Sequence, residues 1–189
     1  MVDLATLQAV SYIIGSLGVF VAAIYYMFNM RAAERNKKIQ LSMSITERLG
    51  SKEMLRDFYT LGTLDWTDLD DYLKKYDSAA NSDDTRECFA QRWSLWAEYE
   101  NLGYLLRNGL VDEEMVYNSQ GVHPMIIWGR YNPVLKYYRE KELGPRYFEN
   151  FEYLARRIWD MGKTHGLTSP GFKGGLTADR FRDVFEPNK

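Results

Sequence analysis

The chain has 189 residues with a formal net charge of −2, and it contains one cysteine and two histidines. This charge balance argues against a nucleic-acid-binding protein. The single cysteine, Cys88, excludes an intramolecular disulfide and fits a reducing compartment.

The first predicted element is an N-terminal helix without charged side chains. Leu4 to Met30 is an uncharged run of 27 residues, and Val10 to Phe28 is its most apolar part. About 20 apolar residues span the hydrocarbon core of a bilayer. A cleaved signal peptide would carry positive charge before a shorter apolar run. We therefore predict an uncleaved transmembrane anchor over residues 1–31, with a buried core helix of a soluble protein as the alternative.

A basic cluster follows this anchor directly, formed by Arg31, Arg35, Lys37 and Lys38. Cytoplasmic flanks of membrane helices carry an excess of such residues. The cluster therefore predicts a single-pass protein of the cell membrane, with its N-terminus outside and the rest of the chain in the cytoplasm. A role in recognising anionic lipid is the less favoured interpretation of the same residues.

Small residues lie along one face of the anchor, at Ser11, Gly15, Gly18 and Ala22. In lipid, such a face allows two helix backbones to approach closely. It predicts self-association or pairing with another membrane span. The alternative is that these residues have no special role, since glycine is common in membrane helices.

Residues 32–166 predict a helical cytoplasmic domain with no strand. Gly50 and Gly62 are helix stops, and Ser51, Thr67 and Asp112 are helix N-caps. The predicted helices run to Leu49, from Ser51 to about Gly62, from Thr67 to about Tyr76, from Thr85 to Arg107, from Asp112 onward, from Pro124, from Asn132-Pro133, and from Pro145 to about Gly162 or Gly166. Residues 167–189, rich in glycine and interrupted by proline, predict a loosely structured C-terminal arm.

No arrangement typical of catalysis occurs in the chain. There is no Gly-x-Ser-x-Gly, HExxH, CxxC or phosphate-loop pattern. No glutamate is followed by a histidine three residues later, as a di-iron site would require. His123, His165 and Cys88 show no spacing typical of a zinc site. We expect no catalytic residues, no cofactor and no metal, and hence a protein that is not an enzyme.

Glu100 is a candidate contact residue because it lies beside the aromatic face of the predicted helix 85–107. A partly buried glutamate there would need a cationic partner, which Arg92, Arg107 or Arg130 would supply. An internal salt bridge is the favoured interpretation, and a ligand contact is the alternative.

The segment from Trp128 to Arg139 is a second candidate. Trp128, Arg130 and Tyr131 are of the residue types that dominate interface hot spots. They are predicted docking or ligand contacts, with ordinary core packing as the alternative.

These features together resemble a known family. The apolar span LQAVSYIIGSLGVFVAAIYY, the sequence Leu64-Asp65-Trp66-Thr67-Asp68, the long aromatic helix and the Asp112-Glu113 cap occur in this order. The order resembles a family of small prokaryotic single-span membrane proteins with a helical cytoplasmic domain of unknown function, over residues 5–160. The resemblance implies a membrane-anchored helical domain and transfers no catalytic residue.

The sequence thus predicts an all-α protein in which one transmembrane helix continues into a cytoplasmic helical bundle. We expect a non-enzymatic interaction, accessory or regulatory subunit that contacts lipid through its first helix and binds a protein partner or itself. A membrane-tethered sensor that holds a small ligand between aromatic helices is the alternative, and an enzyme of unrecognised type is the least favoured.

Overall fold

The computed structural model describes residues 3–77, 83–167 and 178–186, and the regular structure in these ranges is helical, without strands. The predicted all-α fold is therefore confirmed. The elements are α1 (Leu4–Leu49), α2 (Lys52–Thr63), α3 (Leu69–Tyr76), α4 (Asp83–Arg107), α5 (Glu113–Gln120), α6 (His123–Tyr138), a π-helical segment (Arg139–Leu143), α7 (Glu149–Thr164) and α8 (Ala178–Phe185).

Two compact units divide the chain between Leu41 and Ser42. The first unit consists of the apolar and basic parts of α1. This helix is long and apolar enough to cross a membrane, and none of the residues in its most apolar stretch is buried. The predicted charge-free helix, which continues to Leu49, is therefore present in the fold.

The second unit is a helical bundle built around α4 and α7. These two helices pack along each other, and α6 packs against α7 and α2. Aromatic rings fill the space between them. The ring of Phe151 lies 5.1 Å from the Trp128 ring, in an edge-on contact, and 5.1 Å from the Tyr99 ring. Large buried rings therefore form much of the core.

Local capping signals place the starts of α2 and α5 correctly. Ser51 Oγ accepts a hydrogen bond from Met54 N at 3.2 Å, and Asp112 Oδ1 accepts from Met115 N at 3.1 Å. At α3 the predicted cap is wrong by one residue, since Asp68 Oδ1 accepts from Asp71 N at 2.9 Å. A carboxylate is favoured over a neutral hydroxyl here because the helix N-terminus carries partial positive charge.

Pro133 does not begin a helix. It lies inside α6, which runs without interruption from His123 to Tyr138. A proline in a helix interior costs about 3 kcal/mol. Nearly every side chain of α6 from Pro124 to Leu135 is buried, and each large apolar one contributes about 1.5–3 kcal/mol. The free energy contributed by burial therefore exceeds the cost of the interior proline. This explains why the predicted helix boundary at Asn132-Pro133 is wrong.

Helix α7 begins at Glu149 and not at the predicted Pro145. Phe148, just before it, has a left-handed backbone with φ of 52°. Arg139 holds the preceding turn, because its Nε donates to the Tyr147 carbonyl at 2.7 Å and its Nη2 donates to the Phe148 carbonyl at 3.1 Å. A side chain from another element thus fixes residues 145–148 outside the helix.

Part of the predicted loose arm at 167–189 is packed against α7. The Phe185 ring stacks on Trp159 at 5.4 Å, and Glu186 Oε1 accepts from Lys163 Nζ at 2.9 Å. A buried ring and an ion pair thus attach α8 to α7. Residues 168–177 and 187–189 of the predicted arm lie outside the described residues.

Candidate functional site

The exposed apolar surface of α1 is the first candidate site. Large side chains such as Ile13 and Phe20 are more than 60% exposed along it. Every residue predicted for helix packing or topology is also exposed: Ser11, Gly15, Gly18, Ala22, Arg31, Arg35, Lys37 and Lys38. A Cβ added at Gly15 or Gly18 would meet nothing within 4 Å, so this face is open for a second helix.

Glu100 caps α7 instead of pairing with an arginine. Its two carboxylate oxygens accept from Asn150 Nδ2 and from Phe151 N, each at 2.7 Å. Because Phe148 gives α7 no side-chain cap, Glu100 on α4 satisfies a first-turn N–H that would otherwise lack an intrahelical acceptor. The positive end of the α7 dipole stabilises the carboxylate much as a cation would, so the predicted arginine partner is wrong.

Trp128, Arg130 and Tyr131 lie in the core, with exposures of 1%, 8% and 0%. The Tyr131 hydroxyl donates to the Leu61 carbonyl at 2.8 Å. Arg130 donates to the Leu64 carbonyl, and its guanidinium lies 5.1 Å from the centre of the Trp66 ring. Arg130 and Tyr131 therefore bind the end of α2 and the connection to α3. Trp128 packs on Phe151, so none of the three forms an outer surface.

A cavity of about 210 Å³ lies against α4. It is bounded by α4, the C-terminal residue of α6, the π-helical segment and the turn before α7. Its lining residues are Asp77, Phe89, Arg92, Trp93, Trp96, Tyr138, Leu143 and Tyr147. Phe89, Trp93 and Leu143 are 37%, 43% and 49% exposed, so the mouth of the cavity is apolar and open to solvent.

Arg92 is a buried cation in the wall of this cavity. Its side chain is 1% exposed, and it donates a hydrogen bond to the Tyr72 hydroxyl. The guanidinium lies 5.0 Å from the centre of the Phe89 ring, 5.2 Å from Trp96, 5.5 Å from Tyr138 and 5.6 Å from Tyr72. Aromatic faces attract such a cation, but within the described part of the chain no carboxylate forms an ion pair with it.

The two phenols and the thiol that interact with Arg92 stay protonated at neutral pH. Burial raises the pKa of Tyr72 to about 12, an effect that the charge of Arg92 only partly offsets. Burial also raises the pKa of Tyr138 and of the Cys88 thiol above their ordinary values. The phenols and the thiol therefore do not neutralise the guanidinium.

The predictions from sequence did not identify Arg92 as a site residue. One signal was available, because Arg92 lies three residues after Phe89 and four before Trp96, and thus on the aromatic stripe of α4. A charged residue at such a position has to be paired or to serve a ligand. Tyr72 and Tyr138, which surround Arg92, belong to other helices, and the sequence around them gives no comparable signal.

The geometry defines an all-α protein that has, among its described residues, one helix able to cross a membrane and a helical bundle with a cavity beside Arg92. A family model described as a domain of unknown function (DUF4760) matches residues 13–158, which is well over half of the chain. The protein belongs to this family. No curated protein and no solved structure matches the chain.

Proposed function

We propose that this protein is a membrane-anchored, non-enzymatic accessory or regulatory subunit that acts by binding through its helical domain. The observation that carries the proposal is the exposed apolar surface of α1. Val10 to Phe28 would extend over about 28 Å as a helix, close to the roughly 30 Å of a bilayer core. A bilayer would cover such a surface.

The orientation that we propose places the helical domain in the cytoplasm and the N-terminus outside, at the cell membrane. The exposed cluster from Arg31 to Lys38 supports it, since cytoplasmic flanks are enriched in lysine and arginine. The lone cysteine supports it too, because it fits a reducing compartment. The resemblance to prokaryotic single-span proteins agrees with this placement.

A non-catalytic role is supported by three partly or largely buried polar side chains that bind backbone groups. Glu100 caps α7, Arg130 binds the Leu64 carbonyl and Arg139 holds the turn before α7. Each of these groups binds backbone and stabilises the bundle. The domain is then a scaffold, and its function lies in what it binds.

The test of the subunit role is the state of the full chain after gentle extraction from native membranes. We expect a defined assembly, either a homo-oligomer or a stoichiometric complex with a second protein, when its mass is measured by native mass spectrometry. A monomer that retains no protein partner under conditions that preserve other membrane complexes would contradict the role.

The small-residue face of α1 is the proposed contact for self-association. Replacing both Gly15 and Gly18 with leucine adds bulk where the backbones would approach, so we expect dissociation of the oligomer. The matched control changes Ile13 and Phe20, on the opposite face of the same helix, to leucine. Loss of the oligomer in the control alone, or in neither variant, would contradict this contact.

A second candidate function is that of a membrane-tethered sensor for a small ligand. The cavity beside Arg92 favours it, because a buried cation lies there among aromatic rings under an open, apolar mouth. Most small-molecule sites have this composition, with few polar groups in a largely apolar wall. The Glu100 and Arg130 contacts expected from the sequence lie outside the residues that line this cavity.

A further inference from the structure

The part of α1 that follows the apolar run carries an exposed, uncharged face. This Asn36 face consists of Asn29, Ala32, Asn36 and Ile39, which are spaced by three, four and three residues and are all exposed. Residues at such intervals lie on one side of a helix. Ile39 is a large apolar residue beyond the charge-free run, and it is 42% exposed. The Asn36 face is therefore available to a partner.

The charged side chains of the same segment lie off the Asn36 face. They are Arg31, Glu34, Arg35, Lys37 and Lys38, and none of them falls at the three-four-three spacing. If Asn29 and Asn36 take position a of a heptad, the other two members of the face take position d, and the charges take b, c, f and g. Positions a and d form the contact between the helices of a coiled coil. Two α1 helices can therefore meet along this face without opposing their cations.

The same spacing continues backwards into the apolar run of α1. Alternating steps of four and three residues lead from Ser11 through Gly15, Gly18, Ala22 and Tyr25 to Asn29. A repeat of this kind, on average about 3.5 residues, keeps two helices in contact along a left-handed supercoil. The small-residue face and the Asn36 face therefore form one continuous seam from Ser11 to Ile39.

A second copy of the chain is the partner that this seam fits. Copies inserted into one membrane with the same topology lie parallel, so each position of the seam meets the same position of the other copy. An asparagine amide has both donors and an acceptor, so Asn29 and Asn36 can each pair with the same residue of the second copy. Asparagine at position a is also a known means of fixing the register of parallel helix pairs.

We propose that α1 forms a parallel pair with α1 of a second copy along the seam from Ser11 to Ile39. Asn29 and Asn36 form hydrogen-bonded pairs across the contact, and Ala32 and Ile39 pack beside them. This inference rests on the membrane anchoring proposed above. It names the partner of α1 as a second copy and extends the contact beyond the apolar run.

The first test is cross-linking of single cysteines in isolated native membranes. In a Cys88→Ser background, Ala32→Cys and Ile39→Cys place a thiol on the seam, and Glu34→Cys and Lys38→Cys place one on the opposite side of the helix. With a short bismaleimide, we expect at least about threefold more cross-linked dimer at the two seam positions, because only these face the same residue of the second copy. Equal yields on both sides of the helix, or no dimer at any position, would overturn the proposal.

A pair of charge variants tests the contact independently. Ile39→Lys places two like charges opposite each other on the seam, whereas Glu34→Lys adds more positive charge on the other side of the helix. Both side chains are exposed, so neither change removes a buried group. We expect the first to lower the yield of the Ala32→Cys cross-link at least about fivefold, and the second to change it less than about twofold. Equal losses would overturn the seam, because they would show that general repulsion decides.

Two further observations separate this inference from the proposed function on which it rests. Recovery of the chain in the membrane fraction after alkaline extraction checks the anchoring by itself. A stoichiometric complex that contains one copy of this chain and a different protein would overturn the α1 pair and leave the subunit role standing. A mass of two copies in the native complex, with cross-links confined to the seam, is the result that we expect.

Discussion

Replacing Gly103 with alanine will destabilise the helical domain by roughly 3 kcal/mol, at the upper end for overpacking. Gly103 lies in α4 where α7 begins, and an added Cβ would overlap the carbonyl oxygen of Asn150 and lie 2.6 Å from its carbonyl carbon. These are backbone atoms of a capped first turn, so the helices themselves must separate. In an exposed helix, the same change would stabilise by about 0.5–1 kcal/mol.

The free energy of unfolding in urea, followed by tryptophan fluorescence, measures this effect. All five tryptophans lie after residue 65, so the signal reports on the helical domain and not on the apolar part of α1. Asn101→Ala is the matched control, because Asn101 is exposed on the same helix. It should change the stability by less than about 0.5 kcal/mol. Equal unfolding midpoints for the two variants would contradict the close approach of α4 and α7.

Glu100→Ala is expected to destabilise the domain by about 2–3 kcal/mol. The change leaves Phe151 N and Asn150 Nδ2 without their acceptor at a partly buried helix end, and an unsatisfied buried group costs about 1–3 kcal/mol. It also removes a negative charge from the N-terminus of α7, where such a charge is worth about 0.3–1 kcal/mol. The same fluorescence-detected urea unfolding measures the loss.

Two variants separate the cap from a general effect of charge. Glu100→Gln retains one acceptor oxygen, so we expect it to lose about half as much stability. Glu98→Ala removes a carboxylate two residues away that pairs with exposed Arg48. Such surface pairs contribute about 0–1 kcal/mol. A loss at Glu98 as large as the loss at Glu100 would show that Glu100 is no cap.

The elements that could be predicted from sequence depend on local signals. The uncharged run to Met30 could be recognised as a long helix because it is uncharged over a length sufficient to cross a bilayer. Ser51 and Asp112 can be predicted as caps because the N–H groups they bind lie two or three residues away. Helix identity in α2, α4 and α7 follows from apolar residues repeated every three or four positions.

The errors arise where distant residues decide the local structure. The start of α7 is held by Arg139 and capped by Glu100, and neither lies in the helix itself. Pro133 is tolerated because the surrounding helix is buried on all sides. In both cases tertiary contacts outweigh the local preference of a proline for the start of a helix.

The candidate cavity was missed for a related reason. Arg92 lies on the aromatic stripe of α4, which is an unusual position for a charged residue. Its neighbours Tyr72 and Tyr138 lie 20 and 46 positions away in the sequence, so their proximity cannot be predicted from local spacing. Trp128, Arg130 and Tyr131 have the composition of a docking surface, yet their burial is set by how α6 packs. Residue type alone does not separate a hot spot from a core.

The anchored orientation is tested most directly by labelling introduced cysteines in intact cells. Cys88 is buried, and its replacement by serine gives a background without thiols. In that background, Asp3→Cys and Glu47→Cys place one thiol before the apolar run and one after the basic cluster. A membrane-impermeant maleimide should label position 3 in intact cells and position 47 only after permeabilisation. Labelling of position 47 in intact cells, or equal protection of both positions, would contradict the proposed topology.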